Sequence, residues 1–189
     1  MRHRSRSARW GRVKPRRDAR ARIAASPRYA SLEIAPQMGL VPLRENPRSG
    51  LWEFVHLASG ARGAEAPRVS KDGRLELDEA SGILFVLVPG GRSVVGSQKR
   101  SPSAKRYDRD HMSQERPFSR TRLDPYFLAA HELTLAQWRR LAGRAVGRGL
   151  EAGTRSDGVA EPIDDVHPVT SVTWGQAVDT LRRWGLELP

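Results

Sequence analysis

The sequence predicts an α+β domain with little regular structure. Three observations carry that prediction: a six-residue apolar run, Ile83–Val88, bracketed by Gly82 and Pro89; two short amphipathic stretches, each opened by a Thr-x-x-Gln signature; and long polar, glycine-rich segments between them. A chain of 189 residues has room for one domain with a real core plus a tail.

Residues 1–49 alternate Arg with Ser, Ala and Pro and offer few large apolar groups. Such a segment cannot bury enough surface to offset the entropy of ordering, so it is expected to be a disordered basic arm. Residues 1–50 hold 13 Lys/Arg against 3 Asp/Glu, whereas the remaining 139 hold 20 against 18. The formal charge of +12 therefore belongs to the arm and not to the domain. Two readings of the arm stand. Arg2, Arg4, Arg6, Arg9, Arg12, Lys14, Arg16 and Arg17 could draw phosphate backbones. The plainer reading is a solvated or mis-assigned start of the reading frame, and it carries more weight because only Trp10 is interleaved as a base-stacking group. The Arg/Ser/Ala-rich, acid-poor stretch from Met1 to Ala25 also has the composition of a transit peptide.

From Leu51 the texture changes. Leu51 to Leu57 is aromatic and β-branched enough for a strand, Asp72-Gly73 signals a turn, and Arg74 to Asp78 alternates with the period of a half-exposed strand. Residues 50–81 are thus expected to form a lead-in β-ribbon. Ile83–Val88 is apolar on both faces, so it should be a strand buried on both sides. Pro89 stops it, and Gly90-Gly91 turn the chain into a second short strand, Ser93-Val94-Val95. Gln98 to Arg116 has hardly a core residue and is expected to be a long exposed loop.

Phe118 to Leu123 resumes a strand, Asp124-Pro125 turns it, and Tyr126-Phe127-Leu128 continues. Thr134 to Gln137 has the form of a capping box, in which the threonine hydroxyl accepts from the N3 amide while the glutamine reaches back. A short helix follows with Leu135, Trp138 and Leu141 on one face and Gly143 as its stop. Arg144 to Glu161 is expected to be a second loop. Pro168 holds His167 extended, and Thr173 to Gln176 repeats the capping form. Trp174, Ala177, Val178, Leu181 and Trp184 then share a helical face that Gly185 ends.

Taken in order, these pieces resemble the opening half of a formylglycine-generating enzyme, or sulfatase-modifying factor, domain. The positions that carry the resemblance are Pro89, Gly90, Gly91 and Gly96; Asp124, Glu132, Thr134, Gln137 and Trp138; His167, Pro168, Val169 and Trp174; and Gly185, Leu188 and Pro189. The match covers residues 82–189, and Trp52 to Leu77 resembles a lead-in found in some bacterial members. The resemblance implies an irregular α+β fold related to C-type-lectin-like modules. It also implies a family whose members oxidise a cysteine of a sulfatase recognition peptide to formylglycine, oxidise other thiols, or have lost catalysis. In the family, Leu188-Pro189 would lead into a Thr-Glu-Ala-Glu-Trp-like helix start and the second half of the domain. The expectation is therefore a truncated or split member, incomplete at its C-terminus, whose partner is the missing half or a second chain. A thiol peptide would be its substrate only once completed.

The chemistry of the side chains agrees with that expectation. Capturing Cu(I) calls for soft thiolates, and the chain contains no cysteine. His3, His56, His111, His131 and His167 show no His-x-x-x-His or carboxylate spacing, and His131-Glu132 lacks the second histidine of a zinc motif. No catalytic, cofactor-binding or metal residue is assigned; copper and calcium are expected only in complete members. Asp164-Asp165 point to opposite sides of an extended chain and are expected to be solvated. His167 and Glu132 are expected to be structural, and Trp138, Trp174 and Trp184 to be core anchors. A lectin-like binding or scaffold module and nucleic-acid binding through the arm are the two alternative functions. No apolar run approaches the length that crosses a bilayer, and no export signal is seen, so a cytoplasmic location is expected. The isolated chain is expected to aggregate, because Ile83–Val88 and the Trp174 helix would pack partly on the missing half.

Overall fold

The structure, a computed structural model, describes residues 18–37, 39–64, 66–115, 118–143, 152–154, 160–162 and 164–189. It is a mixed α/β structure with small sheets. Its centre is a four-stranded antiparallel sheet in the order β1-β2-β5-β8, built from β1 (Leu40–Glu45), β2 (Trp52–His56), β5 (Ile83–Val88) and β8 (Tyr126–Ala129). Three two-stranded ribbons accompany it: β3 (Arg68–Val69) with β4 (Leu75–Glu76), β6 (Gly91–Val95) with β7 (Ser119–Leu123), and β9 (Ala152–Thr154) with β10 (Ala160–Pro162).

The register assigns the faces of the sheet. Phe54 lies opposite Phe85, Phe85 opposite Ala129, and Leu87 opposite Phe127. Side chains alternate along a strand, so Trp52, Phe54, Phe85, Leu87 and Phe127 share one face. That face is covered by the segment expected to be a disordered arm. Helix α1 (Ala19–Ala25) and a 3₁₀ turn at Pro27–Tyr29 put Ala19, Ile23 and Tyr29 into one cluster with Trp52, Phe54 and Leu87, joined by Leu32 and Ile34. Ile23 is 0% exposed and Leu87 1%. A buried side chain of this size contributes about 1.5–3 kcal/mol, which is what offsets the entropy of ordering a sparse, arginine-rich segment. The Tyr29 hydroxyl donates to the Leu87 carbonyl at 3.0 Å and accepts from the Trp52 amide at 2.9 Å. Arg22 adds an ion pair to Glu45 and lies 5.2 Å from the Trp52 ring centre. Residues 1–17, which carry the phosphate-binding reading and most of the Met1–Ala25 transit-peptide reading, lie outside the described residues.

Two further expectations change. The stretch 50–81 is not a separate lead-in ribbon, because Trp52–His56 is a central strand of the main sheet and only the two-residue pair β3–β4 is a ribbon. Within 144–161, expected to be loop, β9 and β10 pair; its other residues, save Glu161, Gly153 and their strand neighbours, lie outside the described set.

The opposite face of the sheet carries Val55, Leu84, Val86 and, on β8, Tyr126 and Leu128. Helix α2 (Leu135–Ala142) secures one end of it. Arg140 spends its guanidinium on three carbonyls, those of Ser59 at 2.8 Å, Glu79 at 2.7 Å and Ser81 at 3.0 Å. Burial lowers the pKa of Arg140, an arginine held by backbone oxygens with Asp165 and Asp78 nearby. Helix α3 (Trp174–Arg182) packs on α2, where the Trp184 indole donates to the Leu141 carbonyl at 3.0 Å. Among the described residues, no helix is long and apolar enough to cross a membrane.

Candidate functional site

The motif residues fall into three places. The first is the turn between β5 and β6. Pro89 ends β5, and a Cβ at Gly90 would stand 2.6 Å from the Leu123 carbonyl oxygen and 2.9 Å from the Pro125 ring. Only glycine permits that approach, which fixes β6 against β7 and sets Asp124, exposed, at the turn into β8. Gly96 closes the far end of the strand with φ +108°, and a Cβ there would lie 2.7 Å from the Glu115 carbonyl.

The second place is the buried start of α2. Thr134 Oγ1 accepts from the Gln137 amide at 3.2 Å, and Gln137 Oε1 accepts from the Thr134 amide at 3.1 Å. The free end of the Gln137 amide donates to the Ser81 carbonyl at 3.2 Å, so one 3%-exposed side chain both caps the helix and ties it to the loop that leads into β5. The His167–Val169 segment runs alongside: Leu135 N donates to the His167 carbonyl and Val169 N to the Leu133 carbonyl, each at 2.8 Å. Pro168 bridges Thr134, and Val169 packs on the Leu135–Trp138 cluster. The structural role of His167 is thus borne by its backbone, while its side chain is exposed. Glu132 is also exposed and makes no side-chain hydrogen bond among the described residues. Asp165, expected to be solvated, pairs with Arg139 and accepts the Ala136 amide through its carbonyl.

The third place is the helix opened by Trp174. Its cap repeats that of α2, with Gln176 N on Thr173 Oγ1 at 3.2 Å and Thr173 N on Gln176 Oε1 at 2.9 Å. Trp174 itself is 74% exposed, against 4% for Trp138. The expectation that Trp174 anchors the core is overturned: the sheltered residues of the helix come one turn further on, where Thr180 is buried and Ala177, Val178 and Leu181 are half-buried. Trp184, Leu188, Tyr126 and Leu128 are also exposed. Gly185 follows the helix with φ +68°, and Leu188 and Pro189 continue on the surface. The strand Ile83–Val88, by contrast, is not left open, since Ile83, Leu84 and Leu87 are buried.

One polar cluster is not announced by any residue pattern. In the loop expected to be exposed throughout, Gln98 and His111 are buried, and Ser97 Oγ meets both His111 Nδ1, at 2.8 Å, and the Glu115 carboxylate. The geometry superficially matches a nucleophile, base and acid. Its proton balance does not. The single hydroxyl proton of Ser97 is directed to the Glu115 carboxylate, so toward the ring the hydroxyl can only accept from Nδ1–H, and the imidazole is not placed to act as its base. The Ser97 hydroxyl holds the Glu115 carboxyl below the usual carboxylate range, as does the Met112 amide. The set is a staple for the loop. His56 is the other buried histidine; it lies edge-on to Phe85, its Nδ1 has no partner, and burial lowers its pKa.

The residues present do not fit copper. The chain offers no thiolate, and among the described residues no three His, Asp or Glu side chains converge on one point.

A family model, that of the sulfatase-modifying factor enzyme 1-like domain, matches residues 73–189. The match takes in β4 to α3 and leaves α1 and β1 to β3 ahead of it, among them α1, β1 and β2, which cover and extend the sheet. No curated protein matches, and no solved structure matches.

Proposed function

The chain belongs to the sulfatase-modifying factor enzyme 1-like family, and from that premise we propose that it is one part of such a domain, with an irregular C-type-lectin-like fold and no oxidase chemistry of its own, completed by the polypeptide that supplies the second half. The observation that carries this reading is the exposure of Trp174: a capped, amphipathic helix presents a 74%-exposed indole at its first turn. A tryptophan is the largest apolar group a chain can bury, and one placed on the apolar line of a helix is built to be covered. Tyr126 and Leu128, on the free outer strand of the sheet, offer a second uncovered stretch. Cysteine chemistry would come from the completing half, since none of the 189 residues is cysteine. A thiol-bearing peptide then becomes the substrate of the assembled domain.

The test uses the chain alone and the chain mixed with the second half of a complete family member. Alone, it should bind a hydrophobic dye and leave a sulfatase peptide's thiol untouched under air with copper. Addition of the second half should displace the dye and quench or shift the Trp174 fluorescence. Aldehyde formation by the lone chain would sink the proposal, as would a Trp174 signal indifferent to the added half.

A further inference from the structure

We propose that the ribbon β6–β7 is a docking surface for single-stranded nucleic acid. Arg92 lies directly opposite Arg122, and Val94 opposite Arg120. Alternation therefore puts Arg92, Arg120 and Arg122 on one face, and Phe118, two residues before Arg120, continues it. All three arginines are exposed, and Phe118 is 51% exposed beside Gly96, where a Cβ would meet its ring at 3.2 Å. Arg106 donates to the Gly96 carbonyl at 3.4 Å and adds a fourth guanidinium at that end.

Among the described residues, none of Arg92, Arg120 and Arg122 forms an ion pair. Like charges directly across a ribbon destabilise it, and a two-stranded ribbon without a packed face is marginal by itself. A polyanion laid along the face removes the first cost and lessens the second. Guanidinium forks match the paired oxygens of phosphates, and Arg120 and Arg122 recur at about 6.8 Å along the strand. The exposed aromatic ring in line with them selects among polyanions: an acidic polypeptide satisfies the arginines and leaves the ring idle, whereas an unpaired base stacks on it. This surface is built of residues other than 1–17, all of them in this chain.

Fluorescence anisotropy of a labelled oligothymidylate, titrated with the full chain at several salt concentrations, tests the assignment. Combined Arg92→Gln, Arg120→Gln and Arg122→Gln should weaken binding at least tenfold and flatten the plot of log affinity against log salt by about 2. Phe118→Ala should weaken binding about fivefold or more without changing that slope, and Phe118→Tyr should restore it. Arg92→Gln alone relieves the opposed pair, so its melting temperature should not fall, and it supplies a folded variant if the triple one fails. Wild-type affinity in the triple or the Arg92→Gln variant would overturn the proposal. So would displacement of the oligonucleotide by poly-glutamate at equal charge together with an unaffected Phe118→Ala, a result that assigns the ribbon to an acidic protein.

Discussion

Helices α2 and α3 begin with the same device and end in opposite environments. Each has a threonine cap, a glutamine three residues on, and both hydrogen bonds of the capping box. In α2 the cap is part of the interior, with Thr134 at 5% and Gln137 at 3% exposure, whereas Thr173, Trp174 and Gln176 are all exposed. The difference lies outside the helices. Helix α2 meets the carbonyls of Ser59, Glu79 and Ser81 on one side and the His167–Val169 segment on the other; the first turn of α3 meets neither. Local rules write a helix, and only its partners decide which of its residues are core.

That contrast predicts unequal costs for matched substitutions. Trp138→Ala should lose about 3–5 kcal/mol in urea unfolding, because it empties a filled site. Trp174→Ala should change stability by less than about 0.5 kcal/mol in the lone chain; equal losses would break the comparison. Gln137→Ala strands the Thr134 amide and leaves the Ser81 carbonyl to Arg140 alone, and should cost about 1–3 kcal/mol, with Gln176→Ala below about 1 kcal/mol. Tyr29→Phe extends the test to the N-terminal segment. Loss of the hydroxyl between Leu87 and Trp52 should cost about 1–3 kcal/mol, and an unchanged denaturation midpoint would return that segment to the surface. The smallest effect is a pH dependence. His56 is neutral when folded because burial lowers its pKa from 6.5, so its contribution is complete above about pH 6.5. Stability should fall as pH drops from there through the folded pKa, and His56→Leu should flatten the fall, read by urea titrations on either side of about pH 6.5.

Much of the middle of the chain was legible in its sequence. Gly and Pro bracket β5 sharply, and the Thr-x-x-Gln signature appears in the structure twice, because both signals are local. The N-terminal segment was not legible for a reason of averaging: Ala19, Ile23, Tyr29, Leu32 and Ile34 are spread among arginines, so composition over 1–49 hid an i, i+4 pair and a tyrosine with two buried partners. Trp174 misled in the opposite sense, since periodicity names an apolar face without saying that anything covers it. Gly90, Gly96, Thr134, Gln137, Pro168 and Val169 make backbone approaches, caps and bridges that motif spacing records. Ser97, His111 and Glu115, in contrast, meet across a polar loop whose folding no periodicity announces. The fourth relation beyond local reach is Arg140, whose three carbonyl partners lie roughly 60 to 80 residues away in sequence.

The tyrosine hydroxyl that joins Tyr29 to Leu87 spans 58 residues. During synthesis Tyr29 and the helix before it therefore wait for their anchor: at about 5–20 residues per second, Leu87 follows Tyr29 by about 3–12 s. A seven-residue helix does not persist unaided over that interval. Ile23 and Tyr29 leave the ribosome as bare apolar groups, so this segment is open to misassociation until Leu87 emerges.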